Sequence, residues 1–119
     1  MSRKYNGGEW TKARWKGFIM SALRKAWLRW PPRNRVKKAA WVRRGVYKCN
    51  GCKKNVRLTK IIDGKRKNNI SIDHIKPVIP AKGFSTWDSV ISRMFCEENN
   101  LQLLCKDCHD SKTKEERSR

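Results

Sequence analysis

Two tight cysteine turns limit what this chain can become: Cys49-Asn50-Gly51-Cys52 and Cys105-Lys106-Asp107-Cys108. Each turn offers two thiolates, and four thiolates close a tetrahedral zinc site. The 52 residues between the turns exceed the span inside a simple finger. A metal on Cys49, Cys52, Cys105 and Cys108 is therefore expected to clamp the two ends of an enclosed unit. A chain of 119 residues buries only a modest core, and bound zinc supplies folding energy that such a core lacks. One CxxC alone can be a redox motif. Two in a short basic chain favour a structural metal. Cys105 to His109 also spells CxxCH, a haem-attachment pattern. The second CxxC and the lack of an export signal in MSRKYNGGEW argue against that reading. The fifth cysteine, Cys96, falls on the apolar side of an expected helix and reads as packing.

Charge is the next constraint. The chain carries 30 Lys and Arg against 10 Asp and Glu, a formal charge of +20. A compact fold with that excess repels itself, so a polyanion is the expected partner. Residues 1–60 hold 19 of the basic residues and one acid, Glu9, whereas residues 61–119 hold 11 basic and nine acidic residues. The first half is expected to grip a nucleic-acid backbone through Lys12, Lys16, Arg24, Lys25, Arg43 and Arg44, with Lys112 adding to it from the second half. The second half holds the acids needed for chemistry. No stretch is long and apolar enough for a membrane span, and a reducing cytoplasm is the expected compartment.

Periodicity supplies a coarse architecture. Residues 1–8 read as a loose arm. Residues 9–30 place Trp15, Ile19, Ala22, Leu23, Ala26 and Trp30 at helical spacing. Pro31 and Pro32 are expected to end that helix, and Asn34 to cap a second from Arg35 to about Arg43. Residues 46–48 read as a strand entering the first cysteine turn. Residues 56–62 and 67–75 read as strands joined through the Asp63-Gly64 turn. In the second of these, Ile70, Ile72 and His74 share one side and Asp73 faces the other. A helix is expected from Ser85, then a short strand at Leu101–Cys105, then a polar helix after Cys108. This is an α+β chain, with a basic helical extension over 1–45 and a second segment over 46–119. The tryptophans of residues 1–45 read as core, with Trp27 and Trp41 the candidates for stacking on bases.

The chain has two histidines, and both fall at marked positions. His74 follows Asp73 in the strand, and His109 directly follows the last cysteine of the second turn. Closing the cysteine site should bring the start of the final helix beside Asp73 and His74. Phosphodiester hydrolysis needs a nucleophile, a Lewis acid and a route for the leaving oxygen. A carboxylate and an imidazole can hold a hard divalent cation, while a second imidazole takes a proton from water. The plainer alternative is that Asp73 caps a turn and both histidines are ordinary surface residues.

These pieces fall in a familiar order: CxxC at Cys49 and Cys52; Asp73, His74, Ile75 and Pro77; Asn100 through Cys105; then Cys108, His109, Lys112 and Thr113. Together they resemble the HNH endonuclease family of the ββα-metal superfamily, over roughly residues 47–114. The resemblance implies a ββα-metal core, with residues 84–97 as an insertion in the hairpin connection. It implies His74 as general base, Asp73 and His109 as holders of a catalytic divalent cation, and Asn100 as the residue tying the loop that orients His74. The four cysteines would hold structural zinc. Mg²⁺ or Mn²⁺ is the expected catalytic ion, with Zn²⁺ and Ni²⁺ as further options. The implied substrate is DNA, nicked with weak sequence preference. Small phage-encoded proteins share this layout, which points to DNA processing beside terminase or portal proteins. The alternatives are a zinc-containing nucleic-acid binding or packaging accessory protein without catalysis, and a ribonuclease.

Overall fold

The Asn6-Gly7-Gly8 tripeptide has φ values of 52°, 63° and 90°. These residue types reach the left-handed region at least cost, so they reverse the chain. The result is a hairpin, β1 (Arg3–Tyr5) against β2 (Trp10–Thr11), where a loose arm was expected. The computed structural model describes residues 3–117. Thr11 then caps α1 (Lys12–Trp27), its side chain accepting from the Arg14 N–H at 3.3 Å. Pairing of Trp10 and Thr11 in β2 delays the helix three residues beyond its expected start. Rings hold this unit together: Tyr5 stacks on Trp15 with centroids 4.5 Å apart, and Trp10 meets Phe18 at 5.3 Å. Those tryptophans are packing groups. Lys12, Arg24 and Lys25 are exposed on α1 and Lys16 is half-buried.

The first compact unit ends at Trp30 and the second begins at Pro31, fifteen residues before the boundary drawn from sequence. Pro31 and Pro32 do not stop a helix; they open α2 (Pro31–Ala39). Proline has no N–H to waste in a first turn, and its fixed φ suits the helix. The expected helical residues 41–43 are instead β3 (Trp41–Arg43), which runs against β4 (Val46–Lys48) and on to β5 (Asn55–Arg57). Gly45, at φ 73°, makes the first turn of this meander. The cysteine turn at 49–52 lies between β4 and β5.

Next comes the hairpin of β6 (Thr59–Ile62) and β7 (Lys65–Asn68). Asp63 and Gly64 both have positive φ there, 53° and 75°, the pattern that suits a two-residue hairpin turn. The strand expected at 56–62 is broken at Leu58, whose N–H goes to the Gly45 carbonyl. The strand expected at 67–75 is broken at Asn69.

β8 (Ile70–His74) pairs antiparallel with β9 (Leu101–Cys105), aligning Ile72 with Leu103, Asp73 with Gln102 and His74 with Leu101. Between them lie α3 (Trp87–Met94), capped by Thr86, and a 3-10 turn at Glu98–Asn100. α4 (Lys106–Arg117) follows β9 without a break, so Cys108 and His109 sit in its first turn. The core is Ile70, Ile72, Val90, Met94, Leu101, Leu103 and Leu104, with Cys49 and Cys105. The architecture is mixed α+β with four helices and several small sheets among the described residues. No helix among them is long and apolar enough to cross a membrane.

Asn69 is the buried polar residue among the described residues, and three of its polar groups are paired. Its N–H reaches Leu58 O at 2.8 Å, its side-chain amide reaches Arg57 O at 3.0 Å, and its carbonyl accepts from Lys106 N–H at 2.8 Å. It therefore joins the end of β5 to the start of α4. Asn69→Ala leaves the Arg57 carbonyl without that donor and should cost about 1–3 kcal/mol. Urea denaturation of both proteins measures it, and an unchanged midpoint would count against this joint.

Candidate metal and phosphodiester site

The two cysteine turns meet. The Sγ atoms of Cys49, Cys52, Cys105 and Cys108 all lie within 4.8 Å of one another. Cys49 and Cys105 are buried, Cys108 is half-buried and Cys52 is exposed. The first turn is shaped for this role. Gly51 N–H and Cys105 N–H each donate to Cys49 Sγ at 3.3 Å. Lys53 takes a positive φ of 63°, and its N–H returns to Cys49 O. A Cβ on Gly51 would lie 3.0 Å from Cys108 Sγ and 3.2 Å from Leu104 Cδ2. Glycine is thus a steric requirement where the turns touch. The side chain of Cys96 is not part of the cluster; its Sγ lies 3.7 Å from Asn100 Nδ2.

The electrostatics suit a cation. Burial opposes ionisation of Cys49, but N–H donors from Cys105, Cys52 and Gly51 outweigh it and bring the thiol down to about 6. Hydrogen bonding with Cys105, then burial, then the other sulfurs push Cys108 up to about 12. Without a metal the four sulfurs must share protons, because a compact group of like charges is unfavourable. A soft, tetrahedral ion such as zinc fits this donor set, and all four residues would hold it.

The β8–β9–α4 unit gathers a second set of groups. Asp73, from β8, and His109, from the first turn of α4, approach with Oδ1 and Nε2 3.9 Å apart. The other carboxylate oxygen is held: Gln102 Nε2 donates to Oδ2 at 3.1 Å, and Lys112 Nζ lies 3.0 Å from it. Asp73 is only 14% exposed and His109 40%. One carboxylate oxygen is therefore anchored while the other faces the nitrogen of a partly exposed imidazole. An oxygen–nitrogen pair of this kind fits a hard or borderline divalent cation.

Lys112 was expected on DNA. In the fold it donates to His74 O at 2.9 Å and pairs with both Asp73 and Glu116. Burial works against its charge, but Glu116 and Asp73 more than offset that and hold it protonated.

His74 sits beside Asp73 on the opposite face of β8. Its Nε2 lies 2.9 Å from the Met94 carbonyl at the end of α3. A carbonyl only accepts, so in this contact Nε2 is the donor. Asn100 ties down the chain that follows. Its Oδ1 accepts from Lys76 N–H at 2.9 Å, its Nδ2 reaches Lys76 O at 3.4 Å, and its backbone carbonyl accepts from Ile75 N–H at 2.8 Å.

Sequence reasoning gave Gln102 no role. It links the two centres: Asn50 Nδ2, inside the first cysteine turn, donates to Gln102 Oε1 at 2.7 Å, and Gln102 Nε2 donates to Asp73. The one signal in the sequence was strand alternation, which turns Gln102 to the face away from Leu101 and Leu103 but does not say which residue it meets. A cleft of about 540 Å³ opens beside α4, lined by Gln102, Lys112 and Glu116 among others. Asp73, His74 and His109 do not line it. No family model matches the chain, and neither a curated protein nor a solved structure matches it.

Proposed function

We propose that this protein is a metal-dependent DNA endonuclease of the HNH type, its ββα unit formed by β8, β9 and α4. The observation that supports the reading is the convergence of Asp73 Oδ1 and His109 Nε2, with His74 the next residue in β8 and its ring held at the Met94 carbonyl. His74 Nδ1 takes a proton from water as the water oxygen attacks phosphorus. The P–O bond to the leaving sugar oxygen breaks, and that oxygen ends protonated from solvent. Asp73 and His109 would hold the divalent cation, which supplies Lewis-acid polarisation of the phosphate and charge neutralisation at the leaving oxygen. Gln102 and Lys112 position the Asp73 carboxylate. Met94 O fixes the His74 ring. Asn100 anchors the backbone just beyond it.

The test is a nicking assay on supercoiled plasmid. Cleavage should appear with Mg²⁺ or Mn²⁺ and stop when EDTA is added. One observation favours a second reading. The Lys112–Asp73 ion pair already gives the carboxylate a counter-charge, as a zinc-containing binding module without catalysis would need. Failure to cut duplex, single-stranded or branched DNA would transfer the assignment to that module. Cleavage of RNA alone would make the protein a ribonuclease.

Gln102→Leu separates positioning from the zinc framework. It removes the bridge from Asn50 to Asp73 and nothing in the sulfur cluster. Groups that orient metal ligands are typically worth about 10–100-fold in affinity or activity. The Mn²⁺ concentration for half-maximal nicking should rise by about that factor while zinc content stays constant. An unchanged Mn²⁺ response would remove Gln102 from the site.

A further inference from the structure

We propose that Arg43, Arg44, Arg57 and Arg66 form a seat for one phosphate of a nucleic-acid backbone, separate from the Asp73–His109 pair. The four side chains line a cleft of about 340 Å³ that also includes Gly45 and Thr59. Three pieces of chain build it. The β3–β4 turn brings Arg43 and Arg44, the end of β5 brings Arg57, and β7 brings Arg66.

The pieces are locked together. Val46 pairs with Arg57 across β4 and β5, and Gly45 O accepts from Leu58 N–H at 2.9 Å. Arg66 Nη1 donates to Thr59 Oγ1 at 2.8 Å, which fixes its guanidinium over the hairpin. The two Asn69 bonds, to Arg57 O and from Lys106 N–H, hold this corner in register with α4.

The charge pattern asks for an anion. No Asp or Glu lines the cleft. Among the described residues, none of the four arginines forms a salt bridge, whereas Lys60, Lys106 and Lys112 all pair with acids. Four like charges gathered without a carboxylate are unfavourable alone and favourable around a polyanion. Guanidinium groups present paired N–H donors that match phosphate oxygens. The formal charge of +20 favours a nucleic-acid chain over an acidic peptide or a small free anion. The proposal does not depend on cleavage, because a protein that binds without cutting would have the same seat.

The test is fluorescence anisotropy with a labelled 20-base-pair duplex, in buffer without added divalent cation. R57Q/R66Q is compared with the charge-matched pair K54Q/K82Q, whose lysines are exposed outside the cleft. Losing one charge-assisted contact should weaken binding about tenfold. The slope of log affinity against log salt should fall by about 0.9, the value for one phosphate. The control pair should change affinity less than R57Q/R66Q and leave the slope nearly intact. Equal losses in both variants would mean diffuse charge attraction and overturn the seat. Two competitor arms test the occupant: inorganic phosphate and a polyglutamate peptide. Displacement of the duplex by micromolar phosphate, or a larger loss for the peptide than for the duplex, would overturn the nucleic-acid assignment. If R57Q/R66Q does not fold, R43Q/R44Q on the β3–β4 turn reads the same quantities.

Discussion

Protein purified without added metal should carry close to one zinc per chain, and Cys105→Ser should lose both the zinc and the folded state of the second unit. Cys105 is buried in the core, its N–H donates to Cys49, and its sulfur belongs to the four-sulfur cluster. The change therefore strikes the end of β9 and the start of α4 together. Structural zinc in small domains supplies about 10–16 kcal/mol of apparent binding energy at neutral pH. That is as large as the whole net stability of a typical domain, about 5–15 kcal/mol. Loss of cooperative thermal unfolding is the expected outcome for the variant, not a modest shift in midpoint. Cys96→Ala is the control and should leave zinc content unchanged. The direction with pH also follows. Cys108 keeps its proton up to about 12 in the absence of metal, so zinc uptake must release protons and loading must fall as pH falls. Elemental analysis, with a thermal melt on the same samples, decides it. A folded wild-type protein with no zinc would remove the cluster from the structural account.

What sequence made legible follows from how local each signal is. The cysteine cluster was readable because a tight turn brings its own pair of ligands together, whatever surrounds it. The Asp63-Gly64 hairpin was readable for the same reason, and the helix expected from Ser85 because the spacing of its apolar residues repeats within two turns. Proline was read wrongly at 31 and 32, because one residue type both ends helices and begins them, and only the following chain chooses. The break at Leu58 was not local, since Gly45 supplies the acceptor from a different strand. The break at Asn69 depends on Arg57 and Lys106 in the same way. At the candidate site, the approach of Asp73 and His109 was an expectation of chain order. The roles of Gln102 and Lys112 were not legible, because both depend on side-chain reach across β9 and α4. Gln102 and Asp73 lie 29 residues apart and meet only once β8 and β9 pair in register.

His74→Gln should keep the fold, the zinc and DNA binding, and abolish nicking. Glutamine retains an N–H that can donate toward the Met94 carbonyl, so the packing of α3 against this strand is preserved. It has no basic nitrogen, and so it cannot take the proton that His74 Nδ1 is proposed to remove from water. General-base assistance is typically worth about two to four orders of magnitude in rate, and the loss should fall in that range. His74→Ala should fall equally far while also giving up the bond to Met94. A shared rate for the two variants would assign the effect to proton transfer and not to loop position. Asp73→Ala and His109→Ala should be inactive for a different reason, since those side chains are proposed to hold the cation. Raising Mn²⁺ should restore part of their activity and none of the activity of His74→Gln. The measurement is initial nicking rate on supercoiled plasmid across a Mn²⁺ series, with zinc content and duplex affinity taken from the same preparations. Wild-type rates from a folded, zinc-loaded His74→Gln protein would end the proposed mechanism, whereas rescue of that variant by Mn²⁺ would move His74 from proton transfer to holding the ion.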